Sequence, residues 1–202
     1  LTARACMGVL DVDPGIQSGR LIYPEWRPGH DWFAEVAGLG MKAQRNLLRK
    51  TRHIRGAQIT YSPQSASSAL NPARTIGRQL QLSIGRRAEK SEHPEREIRE
   101  ILDAVGLEPR VARSLPGELS GGMCQRAALA IAIAPRPRLV IADEPETGLD
   151  PVLRRAVVEL LVEVCKGRGA GLLLISHNLD TVGRIADAVV ELPGRAQDLV
   201  SP

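Results

Sequence analysis

Residues 119–150, LSGGMCQRAALAIAIAPRPRLVIADEPETGLD, decide the fold. The stretch opens with Ser120, Gly121 and Gly122 ahead of an apolar helical run. Two glycines let backbone N–H groups approach an anion, and a helix N-terminus adds positive potential, so the pattern predicts a phosphate-facing surface. After Pro135 and Pro137 the chain enters Leu139, Val140, Ile141 and Ala142, the short continuous apolar run of a buried strand, and delivers Asp143 and Glu144 at its end. Two adjacent carboxylates there suit a magnesium ion and a water.

Downstream, Asp150 and Pro151 read as cap and first position of a helix. Leu153, Val157, Leu160, Leu161 and Val164 line one of its faces, and the region of Gly167 and Gly169 ends it. Gly171 to Ile175 reads as a second buried strand, delivering Ser176 and His177. A helix over Asp180–Asp187 and a final strand over Ala188–Leu192 are expected after it. Taken alone, a histidine at a strand end is more often structural than catalytic.

Upstream, Ala57 to Tyr61 reads as a strand leading to Gln64 in YSPQSASSALNP. Between Arg78 and Gly117 the clearest helix runs from Pro94 to about Val105: Ile98, Ile101, Leu102 and Val105 share a face, Pro94 suits the first turn and Gly106 the stop. Glu95 and Arg99 make an i,i+4 pair on its wet face. Met41 to Arg52, rich in cations around Leu47 and Leu48, predicts a surface helix. A short strand is expected at Arg20–Tyr23, whereas Pro24 to Gly40, with Trp26 and Trp32, shows no periodic pattern.

Composition narrows the function class. The 202 residues fit one domain, and 43% hydrophobic with 25% charged is ordinary globular composition. The longest apolar run, Ala127 to Ala134, is too short to cross a bilayer, so any membrane role comes through a partner. Cys6, Cys124 and Cys165 lie far apart without metal-type spacing and read as reduced packing thiols. The net charge of +4, with aromatics at only 2% and no long basic block, argues for solvated faces and phosphate contacts over nucleic acid.

Several motifs in order resemble those of the ATP-binding cassette (ABC) ATPases. LSGGMCQR resembles their signature, LVIADE their Walker B strand with its catalytic glutamate, Thr147–Asp150 their D-loop, Gln64 their Q-loop and ISHNLDTV their switch region. SALNP with Thr75-Ile76-Gly77 is particularly similar to importers for peptides and nickel. The resemblance implies an α/β fold: a P-loop NTPase-like ABC nucleotide-binding domain with a mainly parallel core sheet. Residues 1–202 would form one incomplete domain, with an inserted helical subdomain over about 78–134 that includes the signature helix. It implies that Leu1 continues the helix following the family's P-loop, whose strand and lysine would lie just before it. Within the chain only Lys50-Thr51 and Lys90-Ser91 place a hydroxyl after lysine, and neither has the glycine that motif needs. Absence of that strand would leave apolar flanks exposed around Walker B and a poorly stable fragment.

By the same resemblance ATP and Mg2+ are the ligands. Asp143 and Gln64 would hold the metal, Glu144 would orient or deprotonate the attacking water, and Gln64 and His177 would contact the γ-phosphate region. Ser120, Gly121, Gly122, Gln125 and Asp150 would contact nucleotide, the signature donors acting on ATP bound to a second cassette. A dimer is therefore implied, at the cytoplasmic face of the membrane, with permease subunits as direct partners and a substrate-binding protein as an indirect one. The chain departs from the family at Ser65-Ala66, where Asp-Pro is usual, at Cys124, where importers commonly carry a basic residue, and at Glu146, which replaces a small polar residue and is expected to point to solvent. Two readings from other classes stay open: a chromosome-maintenance or DNA-repair ATPase half, which the absence of sustained heptads between Gln64 and Ser120 disfavours, and a non-hydrolysing interaction module.

Overall fold

The computed structural model describes residues 2–8, 15–24, 27–65, 69–87, 89–147 and 151–191, with backbone alone at 2 and 151–153. Its centre is a three-stranded parallel sheet in the order β1 (Ile59–Ser62), β2 (Leu139–Asp143), β3 (Gly171–Ile175). Ile59 to Ser62 lie opposite Leu139 to Ala142, and Leu139 to Asp143 lie opposite Gly171 to Ile175. This is the expected α/β fold. The central strand is apolar without alternation because both of its faces are covered: Val140 and Ala142 join one hydrophobic cluster, Ile141 the other, and all three are fully buried.

Parallel strands need long crossovers, and the helices supply them. From β1 the chain runs through α3 (Ile76–Ile84), α4 (Pro94–Ala104), two 3-10 turns at Pro109–Arg113 and Pro116–Glu118, and α5 (Gly121–Ile133) before reaching β2. From β2 it returns through α6 (Pro151–Gly167) to β3, which α7 (Leu179–Ile185) follows. The larger cluster unites Ile76, Leu80 and Ile84 of α3, Ile101 and Leu102 of α4, the inner face of α5, and Leu161, Val164 and Cys165 of α6.

Local signals set these boundaries. Thr75 caps α3 by accepting the Arg78 N–H at 3.3 Å. After α4, Gly106 at φ +66 lets Leu107 N–H reach Leu102 O (2.8 Å) and its own N–H reach Asp103 O (2.8 Å), the paired bonds that close a helix C-terminus. Gly77 serves a different need: a Cβ there would stand 2.7 Å from Ala112 O, so α3 can lie against the first 3-10 turn only without a side chain at this position. Buried Gln79 pins the loop ahead of α3, accepting from Asn71 N and donating to Asn71 O and Arg74 O.

The smaller cluster covers the opposite sheet face, and the stretch without periodicity contributes Trp32 and Val36 to it. Ile16, Trp32 and Val36 pack with Ala3 of α1 (Thr2–Cys6), Leu47 of α2 (Gly40–Lys50) and Ile54 against Ile59 and Ile141.

Several expectations are corrected. Strand β1 begins at Ile59 rather than Ala57, because Gln58 and Ile59 first fold back onto Ile54 O through their N–H groups. Arg20–Tyr23 forms a single bridge, Ile22 to Asp31, because the Asp31 carboxylate takes the N–H groups of Leu21 and Phe33 and turns the chain instead. Residues 188–191 are not a strand: the β propensity is present, but no ladder forms, and Val189 and Val190 are exposed. Arg96 pairs with Glu100 on α4, whereas Arg99 turns to the Glu95 carbonyl. The Walker B-like strand is itself central; the sheet's outer strands are β1 and β3, and Leu173 of β3 is 37% exposed.

Candidate functional site

The site forms where β2 and β3 end side by side. Parallel pairing brings both C-termini to one edge, and Glu144 N–H continues the ladder by donating to Ile175 O at 2.9 Å. Glu144 itself sits at φ +47, a left-handed conformation uncommon for a residue with a side chain, and Thr147 N–H closes a turn onto its carbonyl at 3.1 Å. This turn lifts the Glu144 carboxylate off the strand axis.

Three donors meet on that carboxylate. His177 Nε2 lies 2.8 Å from Oε1, while Gln64 Nε2 donates to Oε2 at 2.8 Å and Thr147 Oγ1 at 3.0 Å. The three residues assigned catalytic roles from sequence, Gln64, Glu144 and His177, therefore occupy one cluster although they lie in separate segments. His177 is the accessible member, its side chain 88% exposed against 22% for Glu144. Thr147, from the first position of the D-loop-like stretch, is an addition.

Asp143 is held separately. Tyr61 Oη donates to Asp143 Oδ2 at 2.7 Å, and burial, together with this bond and the aspartate's charge, pushes the phenol up to about 12. Tyr61 is thus a donor at any physiological pH. Its role follows from register: it lies opposite Ile141, and the period of two places Asp143 on the same face of the sheet. Among the described residues no group of three or more His, Cys, Asp or Glu forms a metal cage. A magnesium ion, however, needs only one or two carboxylates beside phosphate oxygens and water, and Tyr61 engages only Oδ2 of Asp143. Gln64 likewise spends its NH2 on Glu144 and keeps its carbonyl oxygen for a cation. The residues fit the ion.

The signature-like residues divide. Ser120 is exposed and caps α5, accepting Met123 N–H at 3.3 Å. A Cβ at Gly121 would meet nothing within 4 Å, and Gly122 is partly accessible. Gln125 differs from its expected place at nucleotide: it is buried, and its amide donates to Pro145 O at 2.7 Å, tying α5 to the turn after β2. Asp150 and the strand end at Leu192 lie outside the described residues. Cys124 is buried, its thiol pushed up by that burial, beside the carbonyl of Pro116. Glu146 does not point to solvent: it is 7% exposed and accepts from Ser176 Oγ.

Comparison with known proteins identifies the family. Residues 35–147 match the family described as ABC transporter. The oligopeptide transport ATP-binding protein OppD of Lactococcus lactis subsp. lactis (strain IL1403) is 40% identical over 205 residues, which cover 90% of this chain and 60% of that protein. The dipeptide transport ATP-binding protein DppD of Escherichia coli (strain K12) is 34% identical over 167 residues, 81% of this chain and 51% of that protein. The chain thus spans less than two thirds of the length of these relatives. Among solved structures, the dimeric post-hydrolysis state of the ATP-binding cassette MJ0796 bound to ADP and Pi has a TM-score of 0.56 at 28% identity, covering 66% of this chain and 58% of that one. For cbiO1 from Clostridium perfringens, part of the ABC transporter complex cbiONQ, the TM-score is 0.65 at 21% identity over 90% of this chain and 63% of that one, a likeness of fold.

Proposed function

The chain belongs to the ABC transporter family, and from that premise we propose that it carries the hydrolytic half-site of an ATPase subunit powering an importer, with peptides as the cargo class. The observation that supports this most is the meeting of Gln64, Thr147 and His177 on Glu144 beside Asp143. The peptide reading, favoured over nickel, rests on the names of the relatives. No helix among the described residues is long and apolar enough to cross a membrane, so coupling to transport would run through permease subunits at the cytoplasmic face.

Phosphoryl transfer to water needs a positioned nucleophile and charge stabilisation more than covalent help. Glu144 accepts hydrogen bonds from three side chains in the present arrangement, so its lone pairs already point at donor positions a water can occupy. A water taking the place of the exposed His177 would donate one proton to Glu144 and direct a lone pair at the γ-phosphorus. As its oxygen bonds to phosphorus, the bond to the β-phosphate oxygen breaks, ADP leaves, and Glu144 receives or orients the proton. His177, displaced onto the γ-phosphate oxygens, and the Gln64 amide stabilise the charge there. Asp143, with the Gln64 carbonyl, would hold magnesium, which would neutralise phosphate charge.

The exposed Ser120 hydroxyl and the open space at Gly121 fit nucleotide held by a second cassette, so the working unit is a dimer. The test is ADP release by the protein expressed from its complete coding sequence. Glu144→Gln keeps the shape and removes the base, and it should lower turnover by about 10²- to 10⁴-fold while trapping ATP-bound dimers on gel filtration. Undiminished hydrolysis would overturn the role of Glu144.

A further inference from the structure

The turn after β2 carries a second carboxylate whose placement nothing in the hydrolytic arrangement explains. Glu146 is 7% exposed; Oε1 accepts from Ser176 Oγ, and Oε2 is buried with no hydrogen-bond partner among the described residues. Leaving a buried acceptor unsatisfied destabilises a fold, the more so when it is charged. Such a group costs stability wherever its only return is packing.

Its contacts lead to His177. Ser176 Oγ, while donating to Glu146, accepts Asn178 N–H at 2.9 Å, and Asn178 Oδ1 in turn caps α7 by accepting Thr181 N–H at 3.2 Å. His177 lies between the two linked residues. Its own side chain is mostly in solvent, with Glu144 its one polar partner among the described residues. The β2 and β3 termini are therefore cross-linked twice, Glu144 to His177 and Glu146 to Ser176, by side chains two residues apart on one strand end and adjacent on the other. An exposed imidazole joined by one bond has many rotamers to lose, and fixing the backbone on both sides removes most of that freedom.

We propose that Glu146 is a positioning residue: acting through Ser176, it fixes residues 176–178 so that His177 presents Nε2 to Glu144 and, in the ATPase reading on which this rests, to the γ-phosphate.

The test uses Glu146→Gln, which keeps an acceptor for Ser176, Glu146→Leu, which removes it at similar size, Ser176→Ala and the Leu/Ala double variant. Two readouts are taken: histidine imidazole NMR signals of the 15N-labelled protein with Asn178 amide exchange, and kcat with KM for ATP. Glu146→Leu and Ser176→Ala should shift the His177 imidazole signals in the same direction and speed Asn178 exchange. They should lower kcat by up to about a hundredfold, with KM changed by less than about twofold. The double variant should be no worse than the more severe single, and Glu146→Gln should resemble the wild type. Unchanged His177 signals in a Glu146→Leu protein that merely melts earlier, additive effects in the double variant, or a Gln variant as damaged as the Leu one would each overturn the proposal. A wild-type protein that hydrolyses no ATP refutes the ATPase reading instead, and the imidazole and exchange readouts then decide the role of Glu146 alone.

Discussion

Removing Glu97 should destabilise this protein more than any change at the catalytic edge. Its side chain is 10% exposed and joins three chain segments: Arg87, just after α3, reaches Oε2 at 2.5 Å, and Arg136, in the loop between α5 and β2, reaches Oε1 at 3.3 Å. Arg87 is as buried as its partner, at 11%, whereas Arg136 is 60% exposed. Breaking a buried pair by deleting one member leaves the other charge uncompensated and costs about 3–5 kcal/mol, so Glu97→Ala and Arg87→Ala should each fall in that range. Arg136→Ala removes a solvent-screened partner and should cost no more than about 1 kcal/mol. Replacing both members of the buried pair, Arg87→Met with Glu97→Leu, should cost less than either single deletion, since no charge is stranded. Urea unfolding followed by circular dichroism measures all four. The sign with pH is fixed as well. Burial pushes the Glu97 carboxyl up, but hydrogen bonds from Arg87 and Ser91 and the charges of Arg87 and Arg136 outweigh it and hold the group below its ordinary value of 4.5. Its contribution is therefore complete above that value and lost as pH falls through the lower folded value, and Glu97→Gln should flatten this part of the acid limb. A Glu97→Ala loss below about 1 kcal/mol, or an Arg136→Ala loss matching that of Arg87→Ala, would refute the reasoning.

Gly121→Ala should leave the melting temperature unchanged or slightly raised, because alanine favours a helix and meets nothing nearby, yet it should depress ATP turnover if this backbone approaches nucleotide across a dimer. Activity equal to the wild type would remove Gly121 from the interface. Burial pushes the Cys165 thiol up to about 11 and raises Cys124 as well. At pH 8 a disulfide-exchange reagent should therefore leave both unmodified in the folded protein and modify them in denaturant; rapid labelling of Cys165 in the fold would contradict its burial.

Much of the fold was legible because its signals are local or periodic. The apolar run at 139–142, the helical faces of 94–105 and 151–167 and the punctuation at Ser120 and Gly106 each state their structure within a few residues. The candidate cluster was legible as a set of motifs, and geometry then showed Gln64 and His177 on the same carboxylate. What sequence did not reveal depends on distance across the chain. The resemblance places Gln125 at nucleotide, and its burial follows only from where Pro145 lies. The second sheet cover was hidden because Ile16, Trp32 and Val36 sit in turns and irregular chain, where spacing carries no period. The 188–191 segment errs in the other direction: strand propensity was present, but a strand exists only as half of a ladder.

Glu146 joins these lessons to function. Charge in a turn ordinarily means solvent, and that expectation fails here because the turn at Glu144 is left-handed and folds the following residues back over the β3 end, where Ser176 waits. The same backbone choice that lifts the Glu144 carboxylate toward His177 therefore carries Glu146 inward. Geometry at one residue sets both cross-links, and a change in the turn should be felt at both. The proposed hydrolytic roles would need residues 144 and 177 held at one edge, and the parallel sheet alone fixes the backbone only up to Ile175. The side chains beyond that point carry the register the rest of the way, two on each strand end, and the price is one buried oxygen without a partner among the described residues.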